Sequence, residues 1–259
     1  MAQLMALIFD VDGTLADTER DGHRVAFNRA FADAGLDWDW SVALYGKLLS
    51  VTGGKERIRY YLDEFNSSFD RPAELDSFIA NLHRSKTGHY MAMMAAGAIP
   101  LRSGVRRLLE ESRAAGIRMA IATTTTPENV TALISSTLPE GAIDWFEVIG
   151  AGDIVPHKKP APDIYTWVVE QMNLDPKQAI AFEDSGHGVA SAAAAGIPHI
   201  VVTTNDYTQD QDFAAAQVVL DSLGEPDSRA EVVAGTAPKS GVVDLAYLQA
   251  LVGAAEAGT

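Results

Sequence analysis

Two carboxylates, Asp10 and Asp12, directly follow a short apolar run near the start of the chain. Residues two apart on an extended chain point to the same side, so both side chains should project from one edge of a sheet, where Gly13 lets the backbone turn. Crowded carboxylates are costly unless a cation lies between them or one takes a proton. Both outcomes suit catalysis, with one carboxylate as a metal-held nucleophile and the other as a proton shuttle. The alternative is a turn with two solvated acids, because acidic turns are common.

A second acidic pair, Glu183 and Asp184, follows the apolar residues 179–182 in the same way. A hard divalent cation, Mg²⁺ by preference, binds oxygen ligands and would need such carboxylates from a neighbouring strand. The pair alone is weak evidence for a metal site. Together with Asp10 it predicts a cation site with Mg²⁺ as the expected ion.

Two further polar residues lie where they could hold a phosphoryl group. Thr123 ends the apolar residues 117–122 and offers a hydroxyl and a backbone N–H to a phosphoryl oxygen. Lys159 precedes Pro160 and Pro162, which would fix its approach ahead of a helix, so that its charge could lie beside the first carboxylate. The alternatives are turn chemistry for the threonine and an exposed basic loop for the lysine.

The glycine-rich residues 186–191 partly imitate a dinucleotide-binding fingerprint, and Asp206 lies about twenty residues further on. Glu183 and Asp184, however, would face a pyrophosphate, and Ser191 stands where the fingerprint has a glycine or alanine. Close packing of a helix on a strand is therefore the favoured interpretation of these small residues.

Strand-like and helix-like segments alternate along most of the chain, which favours a parallel α/β sheet. The predicted strands are residues 4–9, 117–122, 148–150, 179–182, 199–202 and 218–220. Predicted helices between them include one that begins near residue 102 and others at 163–172 and 189–195.

Residues from about 18 to 97 have a different texture, with helical periodicity and no convincing strand. Helices are predicted there at residues 24–34, 55–65, 75–83 and 87–96. A helical insertion after the first strand is therefore expected. Near the end of the chain, residues 222–241 are expected to form a loop, and the last few residues are expected to fray.

The composition excludes several classes of function. The chain has no cysteine, which rules out disulfides, thiolate catalysis and cysteine-ligated zinc. A net charge of −15 disfavours nucleic acid and anionic membranes as partners. Because there is also no apolar run of about 18 residues and no secretory signal, we expect a soluble, cytoplasmic protein that acts as a monomer on a small molecule.

The order D-x-D-G-T, then Thr or Ser, then Lys, then an acidic pair resembles the haloacid dehalogenase superfamily over the whole chain. The resemblance implies an α/β fold with a Rossmann-like, doubly wound parallel sheet. It also implies that Asp10 is the nucleophile, Asp12 the general acid/base, and Thr123 and Lys159 the groups that hold the phosphoryl. Dehalogenases of the superfamily lack the second aspartate, so Asp12 favours phosphoryl chemistry.

The same resemblance implies a Mg²⁺ ion held by Asp10, by the backbone carbonyl of Asp12 and by Asp184, with Glu183 alongside. The expected activity is a phosphatase that passes a phosphoryl group from a sugar phosphate to Asp10 and then to water.

The helical insertion makes the chain similar to the subclass that carries a helical cap. The expected division is an α/β core of residues 1–16 and 98–259, with a cap of residues 17–97 that sets substrate specificity. Residues 17–24 and 53–58 are also similar to the CbbY family. That similarity implies xylulose 1,5-bisphosphate, a Rubisco inhibitor, as the substrate and xylulose 5-phosphate as the product.

Six cap residues are expected to bind the sugar bisphosphate: Glu19, His23, Gly53, Gly54, Lys55 and Arg57. Lys55 is the first choice for the distal phosphate, with the N–H groups of the two glycines at the start of a helix beside it. The alternatives are a solvated helix face for the basic residues and a packed histidine at His23.

Two rival functions remain open on the sequence. A sugar phosphomutase of the same superfamily would use the same core residues and retain the phosphoryl group. A non-catalytic acidic binding protein is disfavoured because every catalytic position of the family pattern is filled.

Overall fold

A mostly parallel β-sheet forms the centre of one of two units in the computed structural model, which describes residues 3–51 and 53–255. This first unit combines the chain up to Asp17 with the chain from Pro100 onward, and the second unit is Thr18–Ile99. The division expected after residues 16 and 97 differs from these boundaries by one and two residues. The role of the second unit in substrate specificity stays a prediction.

The sheet has seven strands in the order β3-β2-β1-β4-β5-β6-β7. Every neighbouring pair is parallel except β6 and β7, which are antiparallel. The predicted doubly wound α/β fold is therefore confirmed. The strands are β1 (Ala6–Phe9), β2 (Arg118–Ala122), β3 (Phe146–Gly150), β4 (Ala179–Glu183), β5 (His199–Thr203), β6 (Val218–Leu220) and β7 (Val232–Gly235).

The strand order reverses beside β1, and this reversal determines where polar loops meet. From β1 the chain moves to β2 and β3 on one side, and it later returns to β4, β5 and β6 on the other side. Every residue of β1 and of β4 is buried, as expected for strands covered on both faces. In such sheets the crevice at the carboxyl ends of the strands beside the reversal is the usual site for a ligand.

Nine α-helices lie in the described part of the chain. The helical unit contains α1 (Arg24–Asp33), α2 (Val42–Leu48), α3 (Gly54–Glu64) and α4 (Leu75–Ala95). The unit with the sheet contains α5 (Val105–Ala114), α6 (Pro127–Thr137), α7 (Asp163–Gln171), α8 (Gly186–Ala194) and α9 (Leu245–Ala255). None of these helices is long and apolar enough to cross a membrane.

The helical unit is organised around aromatic side chains. Phe27 and Phe31 of α1 contact Trp40 at ring-centroid distances of 4.7 and 4.9 Å, and Trp38 lies 5.3 Å from Tyr61 of α3. Trp38 and Trp40 are both buried. Aromatic pairs at such distances stabilise a core beyond the area that they bury. The two tryptophans thus belong to the core of this unit.

Two sequence expectations about elements are wrong. The helices predicted at residues 75–83 and 87–96 are one continuous helix, α4. The expected loop at residues 222–241 contains β7, which pairs with β6 at the edge of the sheet. Helices α2, α6 and α9 were not expected. The predicted fraying concerns the last few residues, and residues 256–259 lie outside the part of the chain that the structure describes.

Candidate active site

Three carboxylates meet in the crevice at the carboxyl ends of β1 and β4. Asp10, Glu183 and Asp184 each place one carboxylate oxygen within 4.8 Å of the others, and all three residues are buried. Phe9 pairs with Phe182 in the parallel register of these strands, so the acidic residues that follow are brought side by side. The predicted meeting of the two acidic segments is thus present in the structure.

Lys159 lies between two of these carboxylates. Its Nζ donates to Asp10 Oδ1 at 2.7 Å and to Glu183 Oε1 at 2.6 Å, and its side chain is only 8% exposed. The neighbouring Lys158, in contrast, is partly exposed and pairs with Asp153 at 2.7 Å. An exposed basic loop is therefore the wrong interpretation for Lys159.

Tyr165 supports the lysine and the glutamate from α7, and sequence reasoning missed it. Its hydroxyl donates to Glu183 Oε1 at 2.6 Å, and the Lys159 ammonium lies 5.1 Å from the centre of its ring. The residue is fully buried. A tyrosine on the buried stripe of a helix looks like core packing in a sequence, so nothing there marked this role.

Asn205 holds the third carboxylate and was also missed. It lies just beyond the end of β5, and its Nδ2 donates to Asp184 Oδ2 at 2.7 Å. Gly13 lies against the same carboxylate: its φ is +83°, and a Cβ there would lie 2.1 Å from Asp184 Oδ2. Only glycine fits this position, both for its backbone conformation and for the space available.

The electrostatics of the crevice reflect burial and crowding. Burial raises the pKa of Asp184 well above its ordinary value, and the charges of Asp10 and Glu183 add to the rise. Burial also raises the pKa of Glu183 to about 7, although Lys159 acts in the opposite direction. The pKa of Lys159 lies above its ordinary value because the two carboxylates outweigh its burial. The ammonium is therefore charged at neutral pH.

The arrangement of donors fits a divalent cation. Three carboxylates face one ammonium, so the cluster carries excess negative charge that a cation would offset. Oε2 of Glu183 is buried and has no hydrogen-bond partner among the described residues. All the candidate ligands are oxygen atoms, the type that hard divalent ions prefer. The residues present thus fit a metal ion at this position.

The small residues of the suspected dinucleotide fingerprint serve packing against this cluster. A Cβ on Gly188 would lie 1.8 Å from Glu183 Oε2, and Ala192 is fully buried against the core. Ser191 donates to the carbonyl of Ala161 at 2.6 Å, in the loop that carries the lysine. The packing interpretation of this segment agrees with these contacts.

The two remaining core candidates occupy the same edge of the sheet. Thr123 follows β2 and is buried, but its backbone N–H donates to the Gly150 carbonyl at 2.9 Å. The expectation that this N–H binds a phosphoryl oxygen is therefore wrong, and the hydroxyl is the group left for that task. Asp12 is half-buried in the turn after β1, where its backbone bridges to Ala16.

In the helical unit, Glu19 and Arg57 are joined through a tyrosine. Tyr45 donates its hydroxyl hydrogen to Glu19 Oε2 at 2.6 Å, and Arg57 Nη1 donates to the Tyr45 oxygen at 2.6 Å. Arg57 is 9% exposed, so a solvated helix face is the wrong interpretation for this residue. The interpretation as a solvated helix face is correct for Arg59, which is exposed and pairs with Asp76.

His23 lies in a buried pair with Lys86, which sequence reasoning did not single out. Lys86 Nζ lies 2.7 Å from His23 Nδ1, and the imidazole stacks on Tyr90 at 4.0 Å. Burial, helped by Lys86 and Arg57 against the opposing charge of Glu19, lowers the pKa of His23 to about 4. The imidazole is therefore neutral at physiological pH, and its Nδ1 accepts from the lysine.

The start of α3 carries the other three cap candidates. Gly53 has a φ of +95° and its carbonyl accepts from Arg57 N at 2.9 Å. Gly54 packs beneath the ring of His83, where a Cβ would approach to 2.5 Å. Lys55 is exposed in the first turn of the helix. Exposure at a helix start is compatible both with binding of a distal phosphate and with a solvated helix face, so the role of Lys55 stays a prediction.

Comparisons with known proteins find a matching family model and similar relatives over most of the chain. The family model for haloacid dehalogenase-like hydrolases matches residues 4–196. Protein CbbY of Rhodobacter capsulatus is 50% identical over 214 residues, which cover 83% of this chain and 91% of that protein.

Two solved structures are similar over most of this chain. CbbY (mutant D10N) from Rhodobacter sphaeroides in complex with xylulose-(1,5)-bisphosphate has a TM-score of 0.69 at 44% identity, over 86% of this chain and 96% of that one. CbbY from the same organism in complex with phosphate has a TM-score of 0.68 at 45% identity, over 85% and 94% of the two chains.

Proposed function

Because the chain belongs to the haloacid dehalogenase-like hydrolase family and is a CbbY-like phosphatase, we propose that it converts xylulose 1,5-bisphosphate to xylulose 5-phosphate. The proposed enzyme depends on Mg²⁺, and its reaction passes through an aspartyl phosphate at Asp10. The observation that carries the proposal is the buried contact of Lys159 with Asp10 beside Glu183 and Asp184. It supports the proposal because the carboxylate of Asp10, a buried positive charge and candidate ligands for a cation lie in one crevice.

Asp10 is the nucleophile in the proposed reaction. One of its carboxylate oxygens forms a bond to phosphorus while the bond from phosphorus to the sugar oxygen breaks, and Asp12 gives its proton to that oxygen. Lys159 holds Asp10 Oδ1 in place and offsets charge on the phosphoryl oxygens, with the Thr123 hydroxyl as a further donor.

Asp12 then acts as a base in the second step. It takes a proton from water as the water oxygen bonds to phosphorus and the bond from Asp10 to phosphorus breaks. Inorganic phosphate leaves, and Asp12 is protonated again for the next cycle. The same carboxyl group thus serves as acid and then as base.

The metal site uses the oxygen donors at the same edge of the sheet. Asp10, the backbone carbonyl of Asp12 and Asp184 would hold Mg²⁺, with Glu183 alongside. When bound, the ion supplies positive charge to the phosphoryl oxygens.

The helical unit supplies substrate specificity in this proposal. Lys55 and the N–H groups beside Gly53 and Gly54 bind the distal phosphate, since a helix start and an exposed ammonium both favour an anion. Glu19 and His23 bind sugar hydroxyls, and Arg57 orients Glu19 through Tyr45. The expectation of a cytoplasmic monomer stays a prediction.

A panel of sugar mono- and bisphosphates, assayed for phosphate release with Mg²⁺ and after chelation, tests the proposal. We expect the highest kcat/KM for xylulose 1,5-bisphosphate, loss of activity with a chelator and recovery when Mg²⁺ is added. Full activity after chelation would exclude the metal role. Isomerisation of a sugar monophosphate without net phosphate release would favour the phosphomutase instead.

Lys55→Ala should weaken the enzyme selectively against bisphosphates. The loss of one charged hydrogen-bonding group costs about 1.5–3 kcal/mol, so KM for xylulose 1,5-bisphosphate should rise roughly 10- to 100-fold. KM for a monophosphate that lacks the distal group should change by less than about threefold. Steady-state kinetics on both substrates measure the difference.

Lys47→Ala is the matched control, because Lys47 is an exposed lysine of α2 in the same unit. It should leave both KM values unchanged. Equal increases for the two substrates in the Lys55 variant would remove Lys55 from the distal phosphate site.

A further inference from the structure

The Arg102 side chain donates hydrogen bonds to backbone carbonyls of three segments at the active-site edge of the sheet. Its Nη1 donates to the carbonyl of Gly13 and, at 3.0 Å, to that of Thr203. Its Nη2 donates to the carbonyls of Thr204 at 2.5 Å and Asp221 at 2.8 Å. These carbonyls belong to the segments that follow β1, end β5 and follow β6. One guanidinium thus joins three strand ends.

The arginine is itself firmly held. Its side chain is 9% exposed, and its Nε lies 3.4 Å from Asp17 Oδ1. Its backbone N–H donates to the Leu15 carbonyl at 2.9 Å. Because a buried charge is costly unless it is paired and hydrogen-bonded, this density of acceptors indicates a dedicated site for a guanidinium.

Two of the segments that accept hydrogen bonds from Arg102 lie beside the Asp184 carboxylate. Gly13 lies so close to Asp184 Oδ2 that a Cβ on this glycine would overlap it. Thr204 precedes Asn205, which donates to the same oxygen at 2.7 Å. The guanidinium therefore fixes the backbone on both sides of this carboxylate.

We propose that Arg102 is a positioning residue for the cation site. Its guanidinium holds the Gly13 turn and the Thr204–Asn205 backbone in the arrangement that directs the Asp184 carboxylate toward the ion shared with Asp10. The inference rests on the proposed Mg²⁺ site and adds a residue to it. The planar guanidinium is suited to this task because it donates in fixed directions to several carbonyls at once. A lysine keeps the charge, but its single ammonium cannot reproduce the hydrogen bonds that the two Nη atoms of Arg102 donate to separate carbonyls.

The test is Mg²⁺ binding to the purified full chain, measured by calorimetry with the metal alone. Arg102→Lys should raise the Kd for Mg²⁺ roughly 10- to 100-fold, the size of effect typical for groups that orient metal ligands. KM for the sugar phosphate at saturating Mg²⁺ should change by less than about threefold. A Kd equal to that of the wild type would overturn the proposal.

Arg107→Lys is the matched control for general destabilisation. Arg107 also donates to three backbone carbonyls, those of Leu223 at 3.3 Å, Gly224 at 3.1 Å and Val243 at 2.9 Å. These lie after β6 and before α9, so this variant should lose thermal stability but keep the wild-type Kd for Mg²⁺. A similar loss of Mg²⁺ affinity in both variants would mean a merely structural role for Arg102.

Asn205→Ala provides a second route if Arg102→Lys folds poorly. It removes the hydrogen bond to Asp184 and leaves the arginine in place, so it should also raise the Kd for Mg²⁺. In the double variant the two effects should be less than additive, because both act on the same carboxylate. Fully additive effects would contradict the proposal. If the wild-type protein bound no Mg²⁺, the proposed function itself would fail, which is a different outcome.

Discussion

Asp10→Asn should reduce turnover on the order of 10⁵-fold, because an amide is a poor nucleophile and no other described carboxylate takes the Asp10 position beside Lys159. The fold should persist. Lys159 keeps its hydrogen bond to Glu183, and the change removes one of three crowded negative charges. Without a divalent cation, the variant should therefore be at least as stable as the wild type. Phosphate-release kinetics and thermal unfolding measure the two effects.

Asp153→Asn is the control for the same change of side chain at an exposed position. Asp153 pairs with Lys158 outside the crevice, so this variant should retain wild-type kinetics. Residual turnover in the Asp10 variant within about tenfold of the wild type would remove Asp10 from the role of nucleophile.

Lys159→Met should cost on the order of 10³-fold in kcat, the upper part of the range seen when one fixed electrostatic contact to the transition state is removed. Methionine fills a similar volume but offers neither a charge nor a donor to Asp10. Steady-state kinetics at saturating Mg²⁺ measure the loss. A change of less than about threefold would mean that the lysine serves the fold alone.

The same variant should be less stable at neutral pH, by about 3 to 5 kcal/mol, since it leaves buried carboxylates without their partner. Burial already raises the pKa of Glu183 to about 7 from an ordinary 4.5, and loss of the ammonium raises it further. A group with a raised pKa in the folded state stabilises the fold below its unfolded pKa, and this contribution is lost as pH rises through the folded value. The variant should therefore lose stability steadily from about pH 4.5 to beyond pH 7, as thermal unfolding across pH would show.

Lys158→Met separates these effects from the loss of any lysine in the loop. Lys158 is the adjacent residue, is 43% exposed and bonds to the Gly152 carbonyl and to Asp153. Its replacement should leave kcat and the pH dependence of stability unchanged.

The core of the site could be predicted because each of its charged groups either follows an apolar strand or lies in a loop marked by prolines. In a parallel sheet the carboxyl ends of the strands lie at one edge, so Asp10 and Asp184 could be placed together from the sequence. The sequence did not allow the same prediction for three further residues, Tyr165, Asn205 and Arg102. Their roles depend on which carboxylate or carbonyl lies within hydrogen-bonding distance after folding, and no spacing in the chain encodes that.

The elements that were missed have identifiable physical reasons. The residues of β7 are mostly exposed, so they lack the alternation that marks a half-buried strand, and pairing with β6 alone defines it. Helix α6 did carry a signal, since Thr126 caps its N-terminus and Pro127 occupies its first turn. The turn interpretation of the threonine run concealed it.

Helix α4 was divided because polar residues interrupt its apolar pattern near its centre. Lys86 lies there, yet its ammonium lies over the rings of Phe27 and Tyr90 at 5.1 and 5.2 Å, so the lysine belongs to the buried side of the helix. A buried lysine is rare enough that a sequence pattern assigns it to solvent. The same bias kept a solvated helix face open as the alternative for Arg57.

Acid quenching during turnover of radiolabelled xylulose 1,5-bisphosphate, followed by peptide mapping, tests the covalent step most directly. The account predicts a phosphoryl label on the peptide that contains Asp10, labile to hydroxylamine as an acyl phosphate should be, and absent from the Asp10→Asn variant. A fully active enzyme that never carried the label, or a label retained by that variant, would contradict the account.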